Sequence, residues 1–252
     1  MSNYRRSRRD LRTALEMRAP LEFGGFVAAG PILRRAPRGD VPVLVMPGLS
    51  ASDVSTRPLR SYLIGQGHRV HGWRLGRNDG PTGRVIRGLA DRVAQLSERH
   101  DEPLALVGWS LGGVYAAAIA RAVPGAIRRV ITLGSPLAIL EDPRLPRTGL
   151  DTLMRDRLGD RPGAPVPITS IWSRTDAVVP WKASLVDRVG DIDEREDIEV
   201  RASHLGIGWN ATAAYAVADR LALPGRSLPP FEAPWTMRSA YPDPDRRRDH
   251  VA

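Results

Sequence analysis

Apolar residues in this chain come in short unbroken runs separated by amphipathic stretches. Residues 41–46 (VPVLVM) contain no polar position and end at Pro47-Gly48. A run without polar alternation is what a strand buried on both faces requires. Further strand candidates stand at 69–75 (RVHGWRL), 103–107 (PLALV), 129–133 (RVITL) and 168–172 (ITSIW), with a shorter one at 198–200. Between them, 85–100 carries Ile86, Leu89, Val93 and Leu96 at spacings of three and four, the period of a helix with one buried face. An alanine-rich helix is expected at 111–123, stopped by Pro124-Gly125, and a last helix at 211–223. Strands alternating with helices predict an α/β protein: a three-layer α/β/α sandwich around a mostly parallel sheet. Two segments break the rhythm. Residues 136–166 are rich in proline and charge, with one short helix at 152–157, and read as a small cap or lid. Residues 224–252 read as a proline-rich tail over the surface, with 243–252 expected to be disordered. The resulting organisation is a basic arm and lead-in helix at 1–39, the main domain at 40–223 and the tail at 224–252.

Composition narrows the function classes. The 252 residues are 42% hydrophobic and 26% charged, which excludes wholesale disorder. With no cysteine there is no disulfide, no thiolate metal site and no cysteine nucleophile. The five histidines form no metal-binding pair of the HExxH kind, so no metal site is expected. The net charge of +9 is uneven: residues 1–39 hold nine arginines against Asp10, Glu16 and Glu22. No nucleic-acid-binding pattern accompanies the arm, so nucleic acid is not an expected partner, and contact of the arm with a membrane surface stays open as the alternative. The apolar segment 23–33 has eleven residues and three glycines, too short to cross a bilayer, and reads as a buried helix or packed segment. Ser7-Arg8-Arg9-Asp10-Leu11 has a twin-arginine flavour but lacks an apolar core behind it, and a cytoplasmic location is expected. The oligomeric state is not readable.

The strongest chemical signal is Gly108-Trp109-Ser110-Leu111-Gly112-Gly113, directly after the strand 103–107 and opening the next helix. In a strand–turn–helix this tight, the serine takes a strained backbone conformation, and its neighbours two positions away must be small. Such a turn lifts the hydroxyl above the sheet edge beside the helix N-terminus. The hydroxyl needs a base. Of the histidines, only His204 lies in a loop after a strand, at the sheet edge where open α/β folds bind ligands. His100, at the end of a helix, reads instead as a cation against the helix dipole. The carboxylate that would orient His204 is Asp176, immediately after the strand 168–172. Its rivals Asp191, Asp193 and Asp197 fall in an acidic run that reads as a solvated loop. Two N–H donors for an oxyanion hole are expected from Leu111 and from Leu49, because Pro47 has no N–H. Trp109, Val178 and Leu205 are candidates to line an apolar substrate pocket.

These motifs (MPGLS, GWSLGG, TLGSP, SRTDAVVP and SHLGIGWN) together resemble the α/β-hydrolase fold family, in its serine esterase and lipase branch. The resemblance covers about residues 40–223. One departure is Pro47-Gly48, where many lipases carry His-Gly. The stretch Trp73 to Asn78 also looks like that group, with Arg77 and Asn78 either lining the site or capping the next helix. The resemblance implies a serine hydrolase that needs no cofactor and cleaves a small-molecule carboxylic ester through an acyl-enzyme on Ser110, with His204 and Asp176 completing a triad. An acyltransferase or thioesterase using the same residues, and a non-catalytic binding protein on the same fold, are the alternatives. The short, charged excursion favours soluble or short-chain esters.

Overall fold

A computed structural model of the chain describes residues 16–141, 149–186 and 195–242. Among the described residues six strands form one sheet: β1 (Pro42–Met46), β2 (Arg69–Gly72), β3 (Leu104–Trp109), β4 (Ile127–Leu133), β5 (Ile168–Trp172) and β6 (Arg195–Glu199), in the spatial order β2-β1-β3-β4-β5-β6. All five pairings are parallel, as the alternation of strands with helices predicts. The described helices are α1 (Ala19–Ala28), α2 (Gly30–Leu33), α3 (Asp53–Gly65), α4 (Gly83–His100), α5 (Leu111–Ala122), α6 (Leu150–Leu158) and α7 (Ala211–Ala222).

Strand residues point alternately to two faces, and each face has its own core. Leu44, Met46, Leu104, Leu106, Val130 and Ile168 pack with the inward residues of α4, α5 and α6. Val43, Val45, Ala105, Val107, Ile131 and Ile171 pack with those of α3 and α7. Every residue of β1, β3 and β5 is buried. This double burial is why periodicity along these strands is invisible in the sequence.

Three differences from expectation have physical causes. Helix α3 was not anticipated: it contains Pro58, and it buries only Thr56, Leu59 and Leu63. The lead-in segment is helical, but Phe23 and Val27 are exposed rather than buried. The excursion expected as a cap contains, in its described part, α6, whose Leu150 and Met154 are buried in the core shared with α4 and α5. In the tail, Tyr241 donates a hydrogen bond to Thr212 O at 2.7 Å and Met237 is buried; residues 243–252 lie outside the described set.

His71, on the edge strand β2, meets His100 at the end of α4, with 2.8 Å between their Nε2 atoms. Arg69 Nη1 lies 3.3 Å from His100 Nδ1. An arginine can only donate, so His100 Nδ1 accepts, its Nε2 carries the proton, and His71 Nε2 accepts that proton. Both rings are therefore neutral. Burial, with the neighbouring His100 and arginines, lowers His71 to about 4; burial and then Arg69 and Arg99 lower His100. The expected cationic cap at His100 is thus replaced by a neutral histidine pair. In the unfolded chain His71 titrates near its ordinary value of 6.5. The unfolded state therefore binds more protons between that value and about 4, and the pair's contribution to stability is lost as pH falls through this window. Urea unfolding at pH 7 and at pH 5 should show a lower midpoint at pH 5, and His71→Asn should flatten that dependence.

Candidate active site

The turn between β3 and α5 is built around Ser110, whose φ of 53° and ψ of −122° lie in a region that side-chain-bearing residues rarely occupy. Such a conformation costs about 1–3 kcal/mol and persists only where its surroundings hold it. Here Ser110 N–H donates to Leu133 O at 2.8 Å, and Ser110 O accepts from Gly113 N–H at 3.0 Å. The small neighbours are a steric necessity. A Cβ at Gly108 would lie 2.3 Å from Gly113 backbone atoms, and one at Gly112 would lie 2.5 Å from Met46 O. The G-x-S-x-G spacing is the record of these two collisions.

The loops after β5 and β6 bring the other two side chains to the hydroxyl. His204 Nε2 lies 3.1 Å from Ser110 Oγ, and His204 Nδ1 lies 2.7 Å from Asp176 Oδ2. Both side chains are almost fully buried. The other oxygen of Asp176 accepts N–H bonds from Val178 at 2.9 Å and Val179 at 2.7 Å. The carboxylate is thereby fixed from one side while it faces the imidazole on the other. With Asp176 accepting at Nδ1, the neutral ring carries its proton there and presents a free lone pair at Nε2 to the hydroxyl. Gly134, at the end of β4, makes room: a Cβ there would be 3.0 Å from Asp176 Oδ2 and 3.4 Å from His204 Nδ1, and its φ is +54°. Of the rival carboxylates, Asp197 lies on β6 and accepts from Val186 N–H; Asp191 and Asp193 fall outside the described residues.

The loop after β1 lies against the serine, since a Cβ at Gly48 would be 3.1 Å from Ser110 Cβ. Asn78, fully buried, secures that loop. Its side-chain amide donates to Pro47 O at 2.9 Å, its backbone carbonyl accepts from Ser50 N–H at 2.7 Å, and its backbone N–H donates to Ala51 O at 2.8 Å. Tyr115 O–H, kept protonated by burial, reaches Asn78 Oδ1. Asn78 thus serves the loop rather than capping the next helix, which Thr82 caps. Leu111 N–H is the first of α5, and the geometry of helix ends leaves it without an intrahelical acceptor. Trp109, expected to line a pocket, is buried. Its indole N–H donates to His204 O at 3.1 Å and its ring packs near Trp209, so it supports the histidine loop from below. Val178 and Leu205 are exposed on the two loops that carry Asp176 and His204.

No family model and no curated protein sequence matches the chain. Solved structures do. One of the metagenome-derived lipolytic enzymes LipS and LipT is similar at 18% identity, over 74% of this chain and 94% of that one, with a TM-score of 0.52. The pyrethroid hydrolase of Sphingobium faniae JZ-2 is similar at 16% identity, over 74% and 99%, with a TM-score of 0.52. An α/β-hydrolase enzyme from the sediment metagenome of the Mar Chica lagoon, Morocco, is similar at 16% identity, over 73% and 91%, with a TM-score of 0.50. The chain has the α/β-hydrolase fold.

On this α/β-hydrolase frame the chain adds a support that its sequence does not announce. Glu16, ahead of α1, accepts three backbone N–H groups: Ala177 at 3.1 Å, His204 at 3.0 Å and Leu205 at 2.8 Å. Glu22 accepts Ser203 N–H at 2.7 Å and pairs with Arg18 at 3.1 Å; Arg18 in turn donates to Thr175 Oγ1. Both histidine- and aspartate-bearing loops are therefore tied to a segment about 160 to 190 residues away in the chain. Gly206 permits the approach, because a Cβ there would be 2.3 Å from Glu22 Oε2. The Trp209 indole N–H donates to Ala19 O, and Asn210 caps α7 while reaching Glu22. Removing the Glu16 carboxylate leaves three loop N–H groups without their partner. Glu16→Ala should lower stability by about 1–2 kcal/mol, read as a shift of the urea midpoint with unchanged slope.

Proposed function

We propose that the protein is a serine hydrolase of carboxylic esters, working through Ser110, His204 and Asp176. The observation that carries this reading is the pair of contacts on one imidazole, 3.1 Å to the serine hydroxyl and 2.7 Å to a buried carboxylate. A lone serine is a poor nucleophile, and this arrangement supplies the base and the group that orients it. Structural neighbours that include a lipolytic enzyme and a hydrolase add support for hydrolysis.

In this reading Ser110 Oγ adds to the ester carbonyl carbon as His204 Nε2 takes the hydroxyl proton. The charge developing on the carbonyl oxygen is met by the N–H groups of Leu49 and Leu111. The first comes from the loop that Asn78 holds, the second from the start of α5, where the helix dipole also favours an anion. Asp176 keeps its charge and stabilises the imidazolium. His204 then gives its proton to the alkoxide as the carbonyl–oxygen bond breaks, leaving an acyl group on Ser110. Water, losing a proton to the same nitrogen, adds to the acyl carbon, and Ser110 leaves with the proton returned by His204. The exposed Leu49, Val178 and Leu205 around these atoms suit an ester with an apolar acyl part.

A fluorophosphonate probe should label the wild-type protein on Ser110 and fail to label Ser110→Ala. With a chain-length series of p-nitrophenyl esters, Asp176→Asn should lower kcat by about 10³-fold or more while KM moves little, because the wrong tautomer of His204 would face the serine. Labelling and turnover that persist in Ser110→Ala would contradict the proposal.

A further inference from the structure

We propose that the face of α1 and α2 turned away from the domain docks the protein on an anionic lipid surface. From residue 19 to residue 33 the chain carries a single charged residue, Glu22, and that carboxylate faces inward to Ser203. Phe26 also turns inward, against Tyr62 of α3. What remains outside is Pro20, Leu21, Phe23, Gly24, Gly25, Val27, Ala28 and Pro31, all exposed. Leu21 is 78% exposed and Val27 61%, and Met17, one turn ahead of Leu21, is 73% exposed. A helix on the surface of a soluble domain ordinarily turns charged and polar residues to water. A contiguous face without one is the mark of a surface that is covered in use.

The charges at its ends decide the kind of cover. After the apolar stretch come Arg34, Arg35 and Arg38, all exposed. Before it, residues 1–15 hold Arg5, Arg6, Arg8, Arg9 and Arg12 against Asp10. Apolar side chains flanked on both sides by arginines match a surface that is hydrocarbon beneath and anionic at its headgroups. A nucleic acid would use the arginines and leave the leucine and valine side chains in water. A second copy of the chain would bring the exposed Arg34, Arg35 and Arg38 of each copy together, and like charges oppose that contact. The docking face is also placed for the candidate site. Glu16, one turn before Pro20, holds Leu205 N–H, and the exposed Val178 and Leu205 lie on the loops it ties together. Docking would set the rim of the site at the lipid boundary.

Co-sedimentation of the full chain with vesicles of phosphatidylcholine and phosphatidylglycerol tests this, with pure phosphatidylcholine vesicles as the neutral arm. The protein should bind the mixed vesicles at low salt and lose affinity in high salt. Leu21→Asp combined with Val27→Asp should weaken binding by about tenfold or more, since both signals contribute. Replacing the five arginines of residues 1–15 by serine should do the same on the anionic vesicles only. Turnover of a soluble p-nitrophenyl ester serves as the fold control and should be unchanged in both variants. That readout also separates the two proposals: a protein with no esterase activity that still binds vesicles contradicts only the proposed function. Absence of vesicle binding overturns the docking proposal. So does binding that ignores Leu21 and Val27, binding to duplex DNA in place of vesicles, or a dimer in light scattering that the aspartate substitutions dissociate.

Discussion

The hydrogen bond between His204 and the buried Asp176 carboxylate is the contact around which the candidate site is arranged. It fixes which ring nitrogen carries the proton, and so decides that Nε2 faces Ser110 as an acceptor. Much of the nearby structure can be understood as what allows that contact. Gly134 leaves space for the two side chains, and Val178 and Val179 fix the far oxygen of the carboxylate. Trp109, Glu16 and Glu22 each hold the histidine loop by a hydrogen bond.

A parallel sheet makes the meeting achievable. When every strand runs the same way, the loops after β1, β3, β5 and β6 all emerge at one edge. Ser110 sits after β3, Asp176 after β5 and His204 after β6, so residues far apart in sequence converge without any long excursion of the chain. The two cores, one on each face of the sheet, hold the strands in register and carry that edge as one body.

Ser110 and Asp176 were legible because each lies directly after an apolar run, and His204 because it is the histidine in a loop between the last strand and the last helix. The strained turn was legible because it excludes side chains at Gly108 and Gly112. Other features leave no such trace. Helix α3 carries a proline and buries only three residues, so its period is faint. Trp109 beside a nucleophile could equally be a pocket wall or a packing residue, and only its hydrogen bond to His204 O distinguishes them. Glu16 and Glu22 were counted merely as charges in a basic arm. A carboxylate that accepts backbone N–H groups from a distant loop has no motif or spacing, since its partners are atoms every residue possesses. The place of the lead-in segment against the site therefore emerges only from the fold.

The central claim is that His204 is held by Asp176 with its proton on Nδ1 and its Nε2 turned to Ser110. Nitrogen-15 NMR of protein labelled in histidine reads that tautomer directly. At neutral pH the account predicts a protonated Nδ1 with a far-downfield proton, an unprotonated Nε2, and loss of the downfield resonance in Asp176→Ala. A His204 ring protonated on Nε2, or one whose spectrum is indifferent to Asp176, would contradict it.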